Sequence, residues 1–133
     1  MNASNPAVVA ATYFDALGRG DMAAVMAQFS DTVVWHQPGA NQFSGEHTGT
    51  DGVGKLLGGM MQVSQGSFAL VVTGPAMVNG ELVAIPVRFS GSREGAAMDM
   101  AGVDLLTIRG GKIAEVHLFS EDGASEDGFW GSR

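Results

Sequence analysis

The amino-acid sequence predicts an α+β domain in which three N-terminal helices pack on one face of a curved antiparallel sheet. Helical spacing of apolar residues fills the first half of the chain, and alternating strand patterns fill the second half. Asn79-Gly80 and Gly110-Gly111 separate the later strands and are typical of hairpin turns, because these residues tolerate positive φ angles. Helices followed by hairpin-connected strands indicate α+β architecture rather than alternating α/β units.

Capping residues mark the beginnings of the three helices. Asn5-Pro6 begins the first helix, since proline suits a first helical turn, and this helix ends before Gly20. Asp21 caps a short second helix, and Thr50 or Asp51 caps the third. The apolar residues at helical spacing are Val8, Val9, Tyr13, Leu17, Met22, Val25, Met26, Phe29, Val53, Leu56, Leu57, Met60 and Met61.

Five strands are predicted, one before the third helix and four after it. The first strand is stopped by Pro38-Gly39, and a polar loop then continues to Gly49. Pro86 lies inside a later strand and predicts an edge or a bulge, because proline has no N–H to donate. The predicted strands are Thr32–His36, Ser67–Val78, Glu81–Ser90, Ala97–Ile108 and Lys112–Ser120.

Length and composition predict one soluble domain. The 133 residues are 45% hydrophobic, enough for a single core over residues 1–133. Residues 121–133 read as an acidic, solvated C-terminal tail whose Phe129-Trp130 pair we expect to dock on the body or on a partner chain. The balance of 14 acidic against 7 basic residues argues against nucleic acid and membrane partners.

Several chemistries and locations are disfavoured by what the sequence lacks. There is no cysteine, so disulfides and thiolate chemistry are excluded. No signal peptide and no apolar run of membrane-spanning length is visible, and we therefore expect a cytoplasmic protein. No glycine-rich phosphate loop and no metal-ligand spacing is visible either, and we expect no cofactor and no metal.

Asp104 is the most unusual residue of the strand patterns. At a period of two it shares a face with Met98, Met100, Leu106 and Ile108. Burying a charged carboxyl group on such a face is costly. Asp104 is therefore predicted to have a partner, to stay protonated, or to face a cavity where it acts on a ligand.

Three segments carry a resemblance to a known superfamily. Tyr13-Phe-Asp-Ala-Leu-Gly-Arg-Gly-Asp21 and Gly102-Val-Asp-Leu-Leu106 are similar to the opening helix and an inner strand of bacterial ketosteroid isomerases, and Trp35-His-Gln-Pro-Gly39 resembles SnoaL-like proteins. The chain from about Val8 to Asp122 thus resembles the nuclear-transport-factor-2-like (NTF2-like) superfamily. The resemblance implies a cone in which the curved sheet wraps around a pocket that three helices close.

The resemblance also implies roles for three residues. In the isomerases, a helix tyrosine and a protonated strand aspartate donate hydrogen bonds to the substrate oxyanion, and these positions hold Tyr13 and Asp104. The position of their general base, at the end of the first strand, holds His36, with one extra residue, Gln37, before the proline. The resemblance therefore implies proton abstraction beside a carbonyl and stabilisation of an enolate, as in an isomerase or a polyketide cyclase-like enzyme.

An apolar pocket for a hydrophobic small molecule follows from the same layout, with its mouth near Trp35, His36 and the loop from Pro38 to Gly49. Phe29 and Leu57 stand where some isomerases have supporting tyrosines. Leu118 stands where SnoaL-type cyclases have an acidic residue. The candidate substrate-binding residues are Phe14, Phe29, Trp35, Leu57, Met60, Met61, Val87, Met98, Met100, Val116 and Leu118.

Other interpretations stay open. The same residues could hold a ligand without catalysis, with Tyr13 serving as ordinary core. An ionised Asp104 could orient His36 to activate water. An epoxide-hydrolase-like reaction would use Arg88, although its strand offers no acidic partner.

The remaining histidines are predicted to lie away from the pocket. His117 has the parity of Glu115 and Phe119 and is expected on the outer face of the sheet, at the contact of a homodimer. His47 is expected in an exposed loop. Nothing in the spacing predicts that these two histidines converge with His36 on a metal ion.

Overall fold

The computed structural model describes residues 5–132 and confirms the predicted α+β class. Four helices are present: α1 Pro6–Arg19, α2 Met22–Met26, α3 Gly49–Val63 and α4 Gly123–Trp130. Seven strands form one curved sheet: β1 Phe29–Gln37, β2 Gly45–Thr48, β3 Ala69–Val72, β4 Met77–Asn79, β5 Leu82–Arg93, β6 Ala96–Arg109 and β7 Lys112–Ser120.

The strand order of the sheet is β2-β1-β7-β6-β5-β3, and β4 also pairs with β5. The pairs are antiparallel except β1 with β7, which run parallel with His36 beside His117. The prediction of a purely antiparallel sheet is therefore wrong at this one junction. Hairpin turns predict only antiparallel neighbours. β1 and β7 are not joined by a hairpin, because most of the chain lies between them in sequence.

Local capping chemistry accounts for the helix boundaries. The Asn5 side chain accepts a hydrogen bond from the Ala7 N–H at 2.9 Å, and Asp21 accepts one from Ala24 at 3.1 Å. Helix α3 begins earlier than predicted, with Thr48 at the N-cap. Asp51 consequently lies in the first turn, where its negative charge favours the helix dipole.

Pro86 explains why the long strand predicted before it is divided into β3 and β4. The Thr73 N–H donates to the Pro86 carbonyl at 3.0 Å, but Pro86 has no N–H to return the bond. The chain leaves the sheet at this point, and Gly74 passes so close that an added Cβ would lie 2.9 Å from Pro86 Cγ. The predicted Asn79-Gly80 and Gly110-Gly111 hairpins both form.

The predicted solvated tail folds instead as α4. Asp122 caps this helix by accepting a hydrogen bond from the Ser125 N–H at 3.1 Å. Phe129 and Trp130 are almost completely buried in the core, and Glu126 is only 5% exposed. The Phe129-Trp130 pair thus docks on the body of the same chain, and a carboxyl group predicted to lie in water enters the interior.

The core fills the space between the helices and the concave face of the sheet. Alternate residues of β5 and β6 point into it, including Val83, Ile85, Val87, Met98 and Met100. In the described part of the chain, no helix is long and apolar enough to cross a membrane.

We predict that Gly102→Ala destabilises the fold by about 1–3 kcal/mol, because overpacking of a tight site costs energy of this order. A Cβ at Gly102 would lie 2.6 Å from the backbone oxygen of Phe119 and 2.8 Å from the Phe89 ring. The control is Gly58→Ala in α3, where a Cβ meets nothing within 4 Å. Gly58→Ala should stabilise the helix by about 0.5–1 kcal/mol. Urea unfolding of both variants measures the difference, and equal stabilities would contradict the packing of Gly102.

We also propose that the outer face of the sheet is covered by a second copy of the chain. Val103 and Phe119 are register partners on this face and are 37% and 56% exposed, beside Pro86 on the next strand. A sheet face in water usually carries polar side chains instead. Light scattering should give a dimer for the wild type and for Met22→Glu, which alters the helix layer, and a monomer for Phe119→Glu. A monomeric wild type would refute the proposal.

Candidate functional site

A cavity of about 960 Å³ lies between the helices and the concave face of the sheet. Its walls are mainly apolar, and Tyr13 of the predicted catalytic set lines it together with six of the predicted binding residues: Phe14, Trp35, Leu57, Met60, Met61 and Leu118. Asp104 lines it as well. Such a volume is typical of sites for small organic ligands.

The remaining predicted binding residues lie behind the cavity wall. Phe29, Val87, Met98, Met100 and Val116 are buried in the core but do not line the cavity. Their side chains point to the inner face as predicted, but neighbouring side chains separate them from the cavity. The Phe29 ring, for example, packs edge-on behind Tyr13 and Trp35, with centroid distances of 5.5 and 6.3 Å.

The mouth of the cavity is also elsewhere than predicted. Exposed lining residues cluster at the end of α1, on α2, α3 and β3, and include Arg19, Met22, Met61 and Val71. The loop from 38 to 44 does not line the cavity, because α4 holds it. Asp127 accepts hydrogen bonds from the Ala40 N–H at 2.9 Å and from the Asn41 side chain at 2.8 Å.

Asp104 is the central titratable group of the cavity. Its carboxyl group is 6% exposed, between the register partners Ile85 and Leu118. Burial, together with the negative charge of Glu126, raises its pKa to about 7. Asp99 lies on the opposite face of the same strand, where it accepts a hydrogen bond from Arg88 at 2.7 Å.

Tyr13 reaches the cavity from α1 and is held by its aromatic neighbours. Its ring meets Phe14 edge-on at a centroid distance of 5.0 Å. Burial, and secondly the nearby charge of Asp104, raise the pKa of the Tyr13 hydroxyl well above its ordinary value. The hydroxyl therefore stays protonated and can donate a hydrogen bond to a ligand.

Glu126 is a cavity residue that the sequence reasoning missed. Its carboxylate accepts hydrogen bonds from Ser120 Oγ at 2.5 Å, from Trp130 Nε1 at 3.2 Å and from Gln37 Nε2 at 3.4 Å. Burial raises the pKa of Glu126, and the bonds from Ser120 and Trp130 oppose that rise. An Asp122 cap followed at helical spacing by Glu126 and Trp130 was the signal in the sequence.

His36 lies on the outer face of the sheet, so it does not share the cavity with Tyr13 and Asp104 as predicted. Along β1, Trp35 and Gln37 line the cavity, and His36 between them points the other way. The physical reason is the extra residue before Pro38. One inserted residue reverses the faces of a strand, and it is Gln37 that takes the inward position.

On the outer face, His36 meets the residues of β7. His36 Nε2 lies 2.7 Å from Glu115 Oε2, and the His36 ring stacks on His117 with centroids 4.1 Å apart. His117 is thus on the predicted face. The sequence predicted no convergence of histidines, because the parallel β1–β7 pairing is not visible in local patterns. His47 is separate, with Nε2 2.6 Å from the Phe43 carbonyl oxygen.

The cavity therefore combines mainly apolar walls with the Tyr13 hydroxyl and the carboxyl groups of Asp104 and Glu126. A carboxyl group with a pKa of about 7 exchanges protons readily at neutral pH. Tyr13 can stabilise a developing oxyanion nearby. Fold and site together define a domain in which helices and a curved sheet enclose an apolar cavity that contains titratable groups.

Comparison with known proteins identifies the family. The model of the SnoaL-like domain matches residues 10–116, and the chain therefore belongs to this family. The uncharacterized protein Rv0034 of Mycobacterium tuberculosis is 29% identical over 118 residues, which are 88% of this chain and 89% of that protein.

Solved structures agree with this assignment. A protein of unknown function with a cystatin-like fold from Xanthomonas campestris is 48% identical, with a TM-score of 0.92 over 96% of this chain and 98% of that one. Bal32a, from a soil-derived mobile gene cassette, is 21% identical, with a TM-score of 0.88 over 97% and 99%. At 21% identity the likeness shows the shared fold alone.

The raised pKa of Asp104 predicts that stability falls as the pH rises. Below pH 3.8, the ordinary value, the carboxyl group is protonated in both the folded and the unfolded states. Between that pH and about 7, only the folded state keeps the proton, and the free energy of unfolding decreases by at most about 1.4 kcal/mol per pH unit.

Asp104→Asn should remove this contribution. The free energy of unfolding of the variant, relative to that of the wild type, should therefore increase from pH 4 to pH 7. Asp99→Asn is the matched control on the exposed face of β6 and should follow the wild type. Chemical unfolding across this pH range provides the measurement. Parallel pH profiles for wild type and Asp104→Asn would contradict the assigned environment.

Proposed function

We propose that this protein is an enzyme that enolises a hydrophobic, carbonyl-bearing small molecule, as an isomerase or a cyclase-like enzyme does. The observation that carries the proposal is Asp104, a carboxyl group with a pKa of about 7 inside an apolar cavity. A general base works best when its pKa lies near the working pH. The substrate class follows from the apolar walls, whose few polar groups would orient a carbonyl group.

The reaction step uses Asp104 and Tyr13. The ionised Asp104 carboxylate takes a proton from the carbon beside the carbonyl. The electron pair of that C–H bond forms the new C=C bond, and the π pair of the carbonyl group moves onto its oxygen. The Tyr13 hydroxyl donates a hydrogen bond to this oxygen as charge develops. Asp104 then returns the proton to another carbon, or the enolate carbon attacks a second carbonyl within the same substrate and the resulting alkoxide takes the proton back from Asp104.

Glu126 tunes Asp104 in this proposal. Its lone pairs already accept hydrogen bonds from Ser120, Trp130 and Gln37, and it is therefore poorly placed to receive a further proton. Its charge contributes to the raised pKa of Asp104. The family resemblance implied that His36 is the base. We assign no base role to His36, because it lies on the outer face with Glu115 and His117.

A non-catalytic binding module is the second candidate, because the enclosed apolar cavity would hold a ligand in either case. The hydrolase alternative lacks support. Arg88, on which it depends, pairs with Asp99 on the exposed face of the sheet.

The proposal is tested by hydrogen exchange on 2-tetralone, a bicyclic ketone used as a probe. In heavy water, the wild-type protein should accelerate the loss of the protons beside the carbonyl, as followed by NMR. The rate should rise with pH through about 7, because the ionised form of Asp104 is the base. Asp104→Asn should reduce the rate by about 10²–10⁴-fold, and Tyr13→Phe by about 10²–10³-fold.

His36→Ala is the matched control and should keep the wild-type rate, since His36 does not reach the cavity. Binding of 2-naphthol, a phenol that imitates an enolate, should weaken in Tyr13→Phe. Naphthol binding without any exchange would identify a binding module. Loss of exchange in His36→Ala, or full exchange in Asp104→Asn, would refute the assignment of the base.

A further inference from the structure

A second group of chemically active side chains lies on the outer face of the sheet, away from the cavity. It is built by three adjacent strands, β2, β1 and β7. His36 is the register partner of Glu46 on one side and of His117 on the other. Glu115 precedes His117 by two residues and shares its face. Strand pairing therefore places two imidazoles and two carboxyl groups close together on the same face.

The ligand atoms of three of these residues converge. Glu115 Oε2 lies 2.7 Å from His36 Nε2 and 3.5 Å from His117 Nε2. One nitrogen or oxygen from each of the three residues lies within 4.8 Å of the others. Two ligands of one zinc ion, each bound at about 2.0–2.1 Å, are separated by roughly 3.3–3.5 Å in tetrahedral geometry. Small side-chain movements would bring the present separations to these values.

The charges around His36 also fit metal binding. Glu115 Oε2 offers a carboxylate ligand beside His36 Nε2, at a distance of 2.7 Å. Glu46 Oε2 lies 3.9 Å from His36 Nδ1, the ring nitrogen that faces away from Glu115. A carboxylate beside the second nitrogen is the usual partner of a metal-bound histidine, because it fixes the tautomer and orients the ring.

We propose that His36, Glu115 and His117 bind one divalent transition-metal ion of the zinc type. Two imidazoles and one carboxylate favour Zn²⁺, Co²⁺, Ni²⁺ or Cu²⁺ over Mg²⁺ and Ca²⁺, which prefer oxygen ligands. The three side chains are half-buried. The site is independent of the cavity and of the reaction assigned to Asp104.

Binding requires a movement of the two rings. They now stack with an interplanar angle of 5° and centroids 4.1 Å apart. Imidazole nitrogens bind metals in the plane of the ring, so at least one ring must tilt to share an ion. The bound ion would then join β1 to β7, the parallel pair formed by the first and the last strand of the sequence.

Calorimetric titration of the full, untagged chain with Zn²⁺ tests the site. The wild type should bind one ion per chain. His36→Ala and His117→Ala should each weaken binding by more than 100-fold, because each removes a ligand, and Glu46→Gln by about 10-fold, the lower range for loss of a supporting carboxylate. His47→Ala is the matched control, since His47 is the remaining histidine of the sequence, and it should bind as the wild type does.

Substitution by Co²⁺ provides an independent readout, since its visible absorption reports the number and type of ligands. Zn²⁺ should also raise the melting temperature of the wild type and of His47→Ala, but not of His117→Ala. Absence of binding in the wild type would overturn the proposal. So would unchanged affinity in His36→Ala, or one ion for two chains, which would place the ion between copies. Proton exchange on 2-tetralone should be unaffected in His117→Ala, so the two proposals fail separately.

Discussion

The parallel pairing of β1 with β7 is the constraint on which both faces of the site depend. It is the one parallel junction among the described strand pairs, and it joins the first strand to the last across most of the chain. Closing such a long connection costs chain entropy that the buried inner face must offset. Once the register is set, Trp35 and Gln37 must face the cavity and His36 must face His117.

The pKa values in the cavity depend in turn on the interaction between its buried acidic groups. Glu126 is held by the Ser120 and Trp130 donors, and its field contributes to keeping Asp104 near the midpoint of its titration. Burial, and secondly the charge of Asp104, raise the pKa of Tyr13 and keep its hydroxyl protonated. A change at any of the three groups is therefore expected to alter the pKa of the others, as coupled titrations require. This coupling gives α4 an electrostatic role in the cavity as well as a packing role.

The two faces of the sheet carry different chemistry for the same geometric reason. Successive residues of a strand alternate between faces, so neighbouring polar residues are separated by the full thickness of the sheet. Asp104 and Asp99 lie on one strand, yet one is enclosed and the other pairs with Arg88 in solvent. The inner face carries Asp104 and the apolar wall of the cavity. The outer face carries the apolar Val103–Phe119 row and the histidine–glutamate cluster.

Local patterns in the sequence determined most of the elements and the position of Asp104. Period-two alternation within one strand is enough to place Asp104 with Met98 and Met100, and glycine-containing turns are enough to place two hairpins. Tyr13, Leu57 and Met60 were predicted as pocket residues from the family resemblance, and they line the cavity.

The tertiary structure alone decided which inward residues the cavity exposes, what α4 contributes and where His36 points. Covering of Met98 and Met100 depends on neighbours that are distant in sequence, and so does burial of Glu126. For His36, the alternation of β1 residues could be seen in the sequence. The family resemblance nevertheless placed His36 in the cavity, because it did not account for the inserted residue Gln37. Pairing between distant strands leaves no local period in the sequence, because its free energy comes from contacts that exist only when the chain has folded.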